Sequence, residues 1–296
     1  MTTASLCLLP DRAIIRVSGD DAAHLLDGLV TNSLSRLEPT GAIHTGLLSP
    51  QGKILFDFFL ITDPARASKG FFIDTARDTA MDLIKRLTFY KLRAKADFND
   101  KSDTLSVAVA WGGPVEVPEG AVGYRDPRLA ALGIRLIYPA NAGARLPGHR
   151  TDLEAYEAHR ISLGVPDAGA DYALSDTFPH EAMYDQLKSV DFRKGCFIGQ
   201  EVVSRMQHRG TARKRVVPIV AQVALRPGAA ISAGEATIGT VCSVAGTSAL
   251  ALVRLDRANE AAAKGEPLLA DGQPITLVKP EWADIDIQSG KPTLDR

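Results

Sequence analysis

The spacing of apolar and polar positions changes period repeatedly along the first two thirds of the chain. Residues 12–17 are dominated by Ala, Ile and Val and predict a strand, after which Ser18-Gly19-Asp20 opens a helix that buries Leu25, Leu26 and Leu29. Apolar runs at 43–48 and 54–61 flank Ser49-Pro50-Gln51-Gly52, a turn composition, and so predict a hairpin. A strand at 71–73 leads into a helix on which Ala80, Leu83, Ile84 and Leu87 form one stripe, with Asp74 or Thr75 as its cap, and 91–98 again reads as strand. Further strands are expected at 105–110 and 134–138, and a helix near 152–163 stops at Gly164-Val165-Pro166.

From about residue 213 the pattern changes. Short apolar runs at 216–223, 237–244, 249–255 and 275–278 alternate with Gly and Pro turns, as in a small antiparallel barrel or sandwich. The boundary falls near 205–215, dividing an α/β region (1–210) from a C-terminal domain (211–296). The end, with Ser289-Gly290-Lys291-Pro292, reads as loosely held, and there is no internal repeat.

Composition narrows the classes. At 296 residues, 45% hydrophobic and 23% charged, the chain is long enough to bury a core without disulfide or metal staples. A net charge of -1 excludes a chain-wide attraction to nucleic acid or anionic membrane, so any anion site is local. The three cysteines, Cys7, Cys196 and Cys242, fit neither a zinc site nor a disulfide framework. No apolar run approaches the ~20 residues that span a bilayer, and no basic segment precedes an apolar one at the N-terminus. A cytoplasmic protein, neither exported nor inserted, is therefore expected.

Candidate chemistry concentrates in Lys194-Gly195-Cys196-Phe197-Ile198-Gly199-Gln200-Glu201. Two glycines permit tight backbone geometry, and Phe197-Ile198 can anchor the turn while the sulfur stays accessible. Arg193, Lys194 and Arg205, with a helix beginning at Gln200-Glu201, would favour the thiolate, the nucleophilic and metal-binding form. The plain alternative is a small buried residue in a glycine turn, the reading preferred for Cys7 and Cys242 in their strand-like runs. Downstream, Arg205, Arg209, Arg213, Lys214 and Arg215 make the most basic stretch, suited either to an acidic partner, a polyglutamyl tail or a tRNA phosphate, or to a solvated linker. Without interleaved aromatics, sequence-specific nucleic-acid binding is not expected. His180, Glu181 and Asp185 are close in sequence, but the six histidines are scattered and no catalytic metal is assigned.

The octapeptide resembles the signature of the YgfZ family, which includes mitochondrial iron–sulfur assembly factors. Gly19-Asp20, Thr31-Asn32, the run from Leu47 to Lys53, Tyr90-Lys91-Leu92-Arg93, Asp126-Pro127-Arg128, Gly164-Val165-Pro166, Pro179-His180-Glu181 and Asp185 resemble the family's other landmarks in order. The resemblance implies an α+β fold of the aminomethyltransferase (GcvT-like) folate-binding type: two interwoven α/β subdomains and a C-terminal antiparallel β-barrel, around a channel that receives tetrahydrofolate.

Departures from the aminomethyltransferase qualify that implication. Phe56 stands where that enzyme has its catalytic aspartate, and the neighbouring Asp57 should point away because strand side chains alternate. Ser162 replaces a glutamate that holds the pterin. Transferase catalysis is therefore not expected, and a one-carbon transferase using Asp57, or a ligand-free scaffold, are the alternatives. For folate the candidates are Asp74, which could equally cap a helix, and Arg93 and Arg128, which suit the carboxylate tail or structural ion pairs. Because clusters commonly need four ligands, Cys196 is expected to share a transient iron–sulfur cluster with a carrier protein or to make a reversible thiol contact. The clients would be iron–sulfur enzymes, tRNA-modifying ones among them.

Overall fold

The computed structural model describes residues 3–64, 70–210 and 212–288, so the expected loose end at Ser289-Gly290-Lys291-Pro292 lies outside the described residues. Two units share the chain, Met1–Tyr156 with Leu187–Glu201, and Glu157–Gln186 with Val202–Arg296. Contact grouping divides the chain at other positions than the expected boundary at residue 210. Residues 157–186 and 202–210 group with the C-terminal unit, because grouping follows long-range contacts that local composition does not report.

The first unit holds two five-stranded sheets. One has the order β3 (Ala42–Leu48), β4 (Ile54–Thr62), β5 (Gly70–Ala76), β2 (Arg12–Ser18), β6 (Asp97–Asp100). The other runs β10 (His149–Arg150), β1 (Ser5–Leu9), β7 (Leu105–Trp111), β9 (Ile134–Pro139), β8 (Val122–Arg125). Strand alternation partitions the core. Phe56, Phe58 and Leu60 of β4 face α1 (Ala22–Leu29) and α3 (Ala80–Lys91), whereas Phe59 and Ile61 join Val107, Val109 and Ile137 of the second sheet. The β3–β4 hairpin forms as its pattern predicts, with Ser49 N–H bonded to Lys53 O across the turn.

Two expectations fail around α3. Asp74 and Thr75 lie within β5, opposite Phe59 and Phe58 of β4, and the residue that precedes the helix is Thr79. The ladder and buried ion pairs override the capping propensity of Asp74. Residues 91–98 are not one strand: α3 continues to Lys91 and β6 begins at Asp97.

In the second unit, β11 (Lys214–Ala221), β14 (Ser248–Arg254), β13 (Ala236–Ala245), β12 (Ala230–Ala233), β15 (Leu268–Ala270) and β16 (Gln273–Leu277) close a barrel, sealed by pairing of β16 with β11. Closure leaves no free edge and decides between barrel and sandwich. Two helices, α4 (Leu153–Ser162) and α5 (Gln200–Arg209), start in the first unit and run into the second. Among the described residues no helix is long and apolar enough to cross a membrane.

Gly19, between β2 and α1, has φ +120, and a Cβ there would stand 2.1 Å from Lys95 O. Gly19→Ala is expected to cost more than about 1 kcal/mol. The control Gly28→Ala, on α1 with nothing within 4 Å of the added carbon, is expected to stabilise by about 0.5–1 kcal/mol. Urea unfolding of the two variants measures both.

Candidate functional site

Residues 187–199 form an irregular strap that carries Cys196, and Thr31-Asn32 anchor its start. Thr31 Oγ1 donates to Ser189 O at 2.7 Å, Asn32 Nδ2 donates to Lys188 O at 2.7 Å, and Asp191 N–H donates to Thr31 O at 3.0 Å. Every one of these groups is a backbone group of the strap or reaches one, so the chain path is held whatever the strap's side chains do. Below Cys196, Phe197 is buried and Ile198 packs on the helix-facing core. Gly199 has φ +80 and rests on the β3–β4 turn, where a Cβ would approach Ser49 O to 2.6 Å. The helix α5 then starts at Gln200, with Glu201 in its first turn, where a carboxylate suits the helix dipole.

Gly195 and Cys196 remain exposed on this braced segment. The other sulfurs differ: Cys7 is buried, and Cys242 is half-buried with burial raising its thiol pKa to about 11. Cys196 is thus the most exposed of the three cysteines.

Lys194 has a role that the sequence reading did not anticipate. Its Nζ donates to Asp27 O at 2.5 Å, Val30 O at 2.8 Å and Asn32 O at 2.9 Å. These carbonyls lie at and just beyond the C-terminal end of α1, where a helix leaves acceptors unsatisfied and its dipole is negative. Three ammonium protons meet three acceptors. Burial pulls the lysine pKa below its usual value against the opposing pull of Asp27. The expectation that Lys194 polarises the thiol is corrected: its ammonium is engaged beneath the strap. Arg193 is exposed, with its Nε 3.8 Å from Asp191 Oδ1.

The residues nominated for folate separate. Arg93 is exposed in the turn after α3. Asp74 is fully buried, its carboxylate accepting from Arg12 Nε at 2.6 Å, Tyr124 Oη at 2.7 Å and Arg135 Nε at 3.0 Å. Arg128 is buried too and donates to both Asp126 oxygens, at 3.1 and 2.9 Å. The ring of Phe59 packs beneath all three guanidiniums, with Arg135 Cζ at 4.6 Å, Arg128 at 4.8 Å and Arg12 at 5.7 Å from its centroid.

Burial raises the pKa values of Asp74 and Asp126, but the adjacent guanidiniums outweigh it and hold both carboxyls below the usual range. A carboxylate with three donors and no exposure does not fit as a ligand contact, so Asp74 and Arg128 are corrected to structural ion pairs. Ser162 is exposed and bonded to His159 O, and supplies no charged acceptor either. Folate contacts at these positions therefore do not fit the residues present. Arg12, Tyr124 and Arg135 were missed from sequence. A signal existed for Arg135, a lone cation between Ile134 and Leu136 in a strand.

Alternation around Phe56 holds, and Asp57 points away from it as expected. Phe56 packs in the helix-facing core, and Asp57 lies on the face of Phe59, its Oδ2 3.1 Å from His44 Nε2. His44 Nδ1 lies 2.7 Å from Ser189 Oγ, so a buried Asp57–His44–Ser189 chain further ties β4 and β3 to the strap.

In the second unit Arg215 donates to both oxygens of Asp185, at 2.8 and 2.9 Å, and to His180 O at 2.8 Å. Burial raises the Asp185 pKa, yet Arg215 more than compensates and lowers it overall. Arg215 is thereby withdrawn from the basic stretch, while Arg205, Arg209, Arg213 and Lys214 are exposed. Among the described residues no three His, Cys, Asp or Glu side chains gather as a metal site.

Two outcomes follow from these geometries. Lys194→Met, which strands the carbonyls at the end of α1, is expected to cost about 1.5–3 kcal/mol in urea unfolding and to alter the labelling rate of Cys196 by a soluble disulfide reagent. Asp74→Asn, which breaks a buried pair, is expected to cost about 3–5 kcal/mol. A carboxyl whose folded pKa is depressed below 3.8 stabilises fully above that pH and loses its contribution as pH falls through the folded value. Wild-type stability should therefore drop below about pH 4, and less steeply in Asp74→Asn, as urea midpoints between about pH 3 and 7 would show.

Comparison with known proteins places this geometry among relatives. Residues 213–285 match the family model of the CAF17 C-terminal beta-barrel domain. The mitochondrial iron-sulfur cluster assembly factor IBA57 of Homo sapiens is 31% identical over 271 residues, covering 83% of this chain and 76% of that protein. The Mus musculus protein of the same name is 32% identical over 76% of this chain and 68% of its own length. A Pyricularia oryzae homologue is 35% identical over 74% of this chain but only 58% of its own length, so the chain spans little more than half of some fungal relatives. Among solved structures, the glycine cleavage system aminomethyltransferase T from Bartonella henselae aligns over 96% of this chain and 87% of its own with a TM-score of 0.76, at 17% identity, which shows the fold alone. The cytoplasmic expectation is overturned by these relatives, which are named as mitochondrial proteins; sparse cysteine indicates a reducing setting without saying which compartment provides it. With the aminomethyltransferase fold, a closed C-terminal barrel and this degree of identity, the chain belongs to the family of IBA57 iron–sulfur cluster assembly factors.

Proposed function

We propose that this chain assists the assembly of iron–sulfur clusters on target enzymes, with the Cys196 thiolate as one ligand of a cluster shared in passing with a carrier protein. The observation that carries the reading is an exposed sulfur on a strap whose backbone is anchored on both sides by Thr31, Asn32, Lys194 and Phe197. Family membership supports the cargo, since the relatives are named for cluster assembly.

Coordination chemistry sets the form of the step. Clusters commonly require four protein ligands, and one exposed thiolate supplies a quarter of them. The cluster is cargo, held jointly while ligands exchange. Cys196 loses a proton to solvent and binds iron, the displaced carrier thiolate regains a proton, and no electron moves. A braced strap favours such an exchange because its ordering cost is met on folding rather than on binding.

The finer resemblance to the YgfZ family extends the proposal to clients that include radical enzymes modifying tRNA. Asp74 and Arg128 are engaged in buried pairs, and the proposed ligand exchange needs no tetrahydrofolate. Aminomethyl transfer lacks a base at Phe56, which packs in the core. Calorimetric titration with tetrahydrofolate measures binding through other residues.

Cys196→Ser is expected to change stability by no more than about 0.5 kcal/mol, since the side chain is exposed. It should abolish both the restoration of iron–sulfur enzyme activity in cells lacking the native chain and the thiolate-to-iron absorption formed anaerobically with a cluster-loaded carrier. Full restoration by the serine variant would remove the thiolate role.

A further inference from the structure

Helix α3 has two unlike faces. Ala80, Leu83 and Leu87 are buried in the first unit, while positions 81, 85 and 89, spaced by four, run along the opposite side. On that side Met81 is 54% and Phe89 70% exposed, and just past the helix Leu92 is 85% exposed. Single exposed apolar side chains are ordinary, but Phe89 and Leu92 stand three residues apart at one helix end.

Leu92 adds an independent observation. As the C-cap of α3 it holds φ +46 and ψ -105, a positive-φ conformation outside the left-handed helical region and one that a bulky side chain rarely adopts. Glycine would end the helix here without strain. Leucine instead keeps an apolar side chain in solvent on a backbone that it resists. Strain of this kind concentrates at functional positions.

The charges around the pair indicate what would cover it. Arg86, Arg93 and Lys95 are exposed, and among the described residues none of the three pairs with a carboxylate. The nearby acids are engaged elsewhere. Asp82 binds Lys85 at 2.8 Å, Asp97 lies 3.3 Å from Lys91, and Asp21 accepts from the backbone N–H of Lys95 rather than from its ammonium.

We infer that the C-terminal end of α3 is a docking surface for a protein partner that presents acidic side chains around an apolar patch, with Phe89 and Leu92 as anchors and Arg86, Arg93 and Lys95 as the charged rim. Aromatic and arginine side chains are the groups that most often dominate protein interfaces, and rim charges steer encounter. One exposed aromatic ring offers no series of stacking platforms for a nucleic-acid strand. A membrane surface would need a long apolar face, and the apolar face of α3 is already buried in the unit. The inference goes beyond the proposed assembly role and does not depend on the chemistry of Cys196.

The test uses the full chain with p-benzoylphenylalanine in place of Phe89, irradiated in cells that lack the native copy. The expected result is a discrete adduct with another protein. Once purified, that protein should bind the wild type with an affinity that falls as salt rises. Kd should increase by about tenfold or more in Phe89→Ser/Leu92→Ser and in Arg86→Glu/Arg93→Glu, at unchanged thermal midpoint. Leu92→Gly separates docking from folding, because it should weaken binding while leaving the midpoint unchanged or higher. No adduct, an adduct of the chain only with itself, capture by phosphatidylserine vesicles instead of a protein, or a partner bound equally by all variants would each overturn the inference.

Discussion

The position of the exposed sulfur depends on an ammonium group placed beneath the last turn of a helix. Helix C-termini leave carbonyls without partners and gather negative partial charge there, and Lys194 answers with three donors in one group. Because Lys194 is two residues from Cys196 in the chain, fixing the ammonium also restricts where the sulfur stands. Phe197, buried immediately afterwards, supplies the second fixed point, and Gly199 closes against the hairpin turn. What remains free between these points is a glycine and a thiol. The strap thus holds one exposed cysteine on a braced backbone.

A second constraint maintains the frame under that strap. Asp74, on one sheet of the first unit, accepts from Arg12 beside it and from Tyr124 and Arg135 of the other sheet. A buried carboxylate needs compensating donors, and here several converge on it from two sheets. Such a cluster resembles a ligand site when only residue types are considered. Its lack of exposure and its internal bonding make it a structural joint.

The likeness to an aminomethyltransferase at 17% identity is one of fold, and fold alone does not assign a chemistry. On the β3–β4 hairpin Phe56 turns into the helix-facing core. Asp57, one residue on, faces the other way and joins His44 and Ser189 in bracing the strap. Polar groups on this frame therefore hold the strap that carries Cys196.

What could be read from the chain alone was whatever depends on neighbours in sequence. The β3–β4 hairpin follows from a turn between two apolar runs, α3 from the spacing of its apolar stripe, α5 from its start at Gln200-Glu201, the C-terminal barrel or sandwich from its evenly spaced short strands, and the prominence of Cys196 from the octapeptide around it. Tertiary structure alone decided the partners of charged groups. Lys194 turned from the sulfur to a helix end formed some 160 residues earlier, Asp74 from a cap to a buried joint, and Arg215 from a basic patch to a pair with Asp185. It also assigned residues 157–186 to the C-terminal unit. The physical reason is common to these cases: backbone periodicity is set within a few residues, whereas the stabilisation of a charge depends on which distant donors or acceptors the folded chain brings to it once water is excluded.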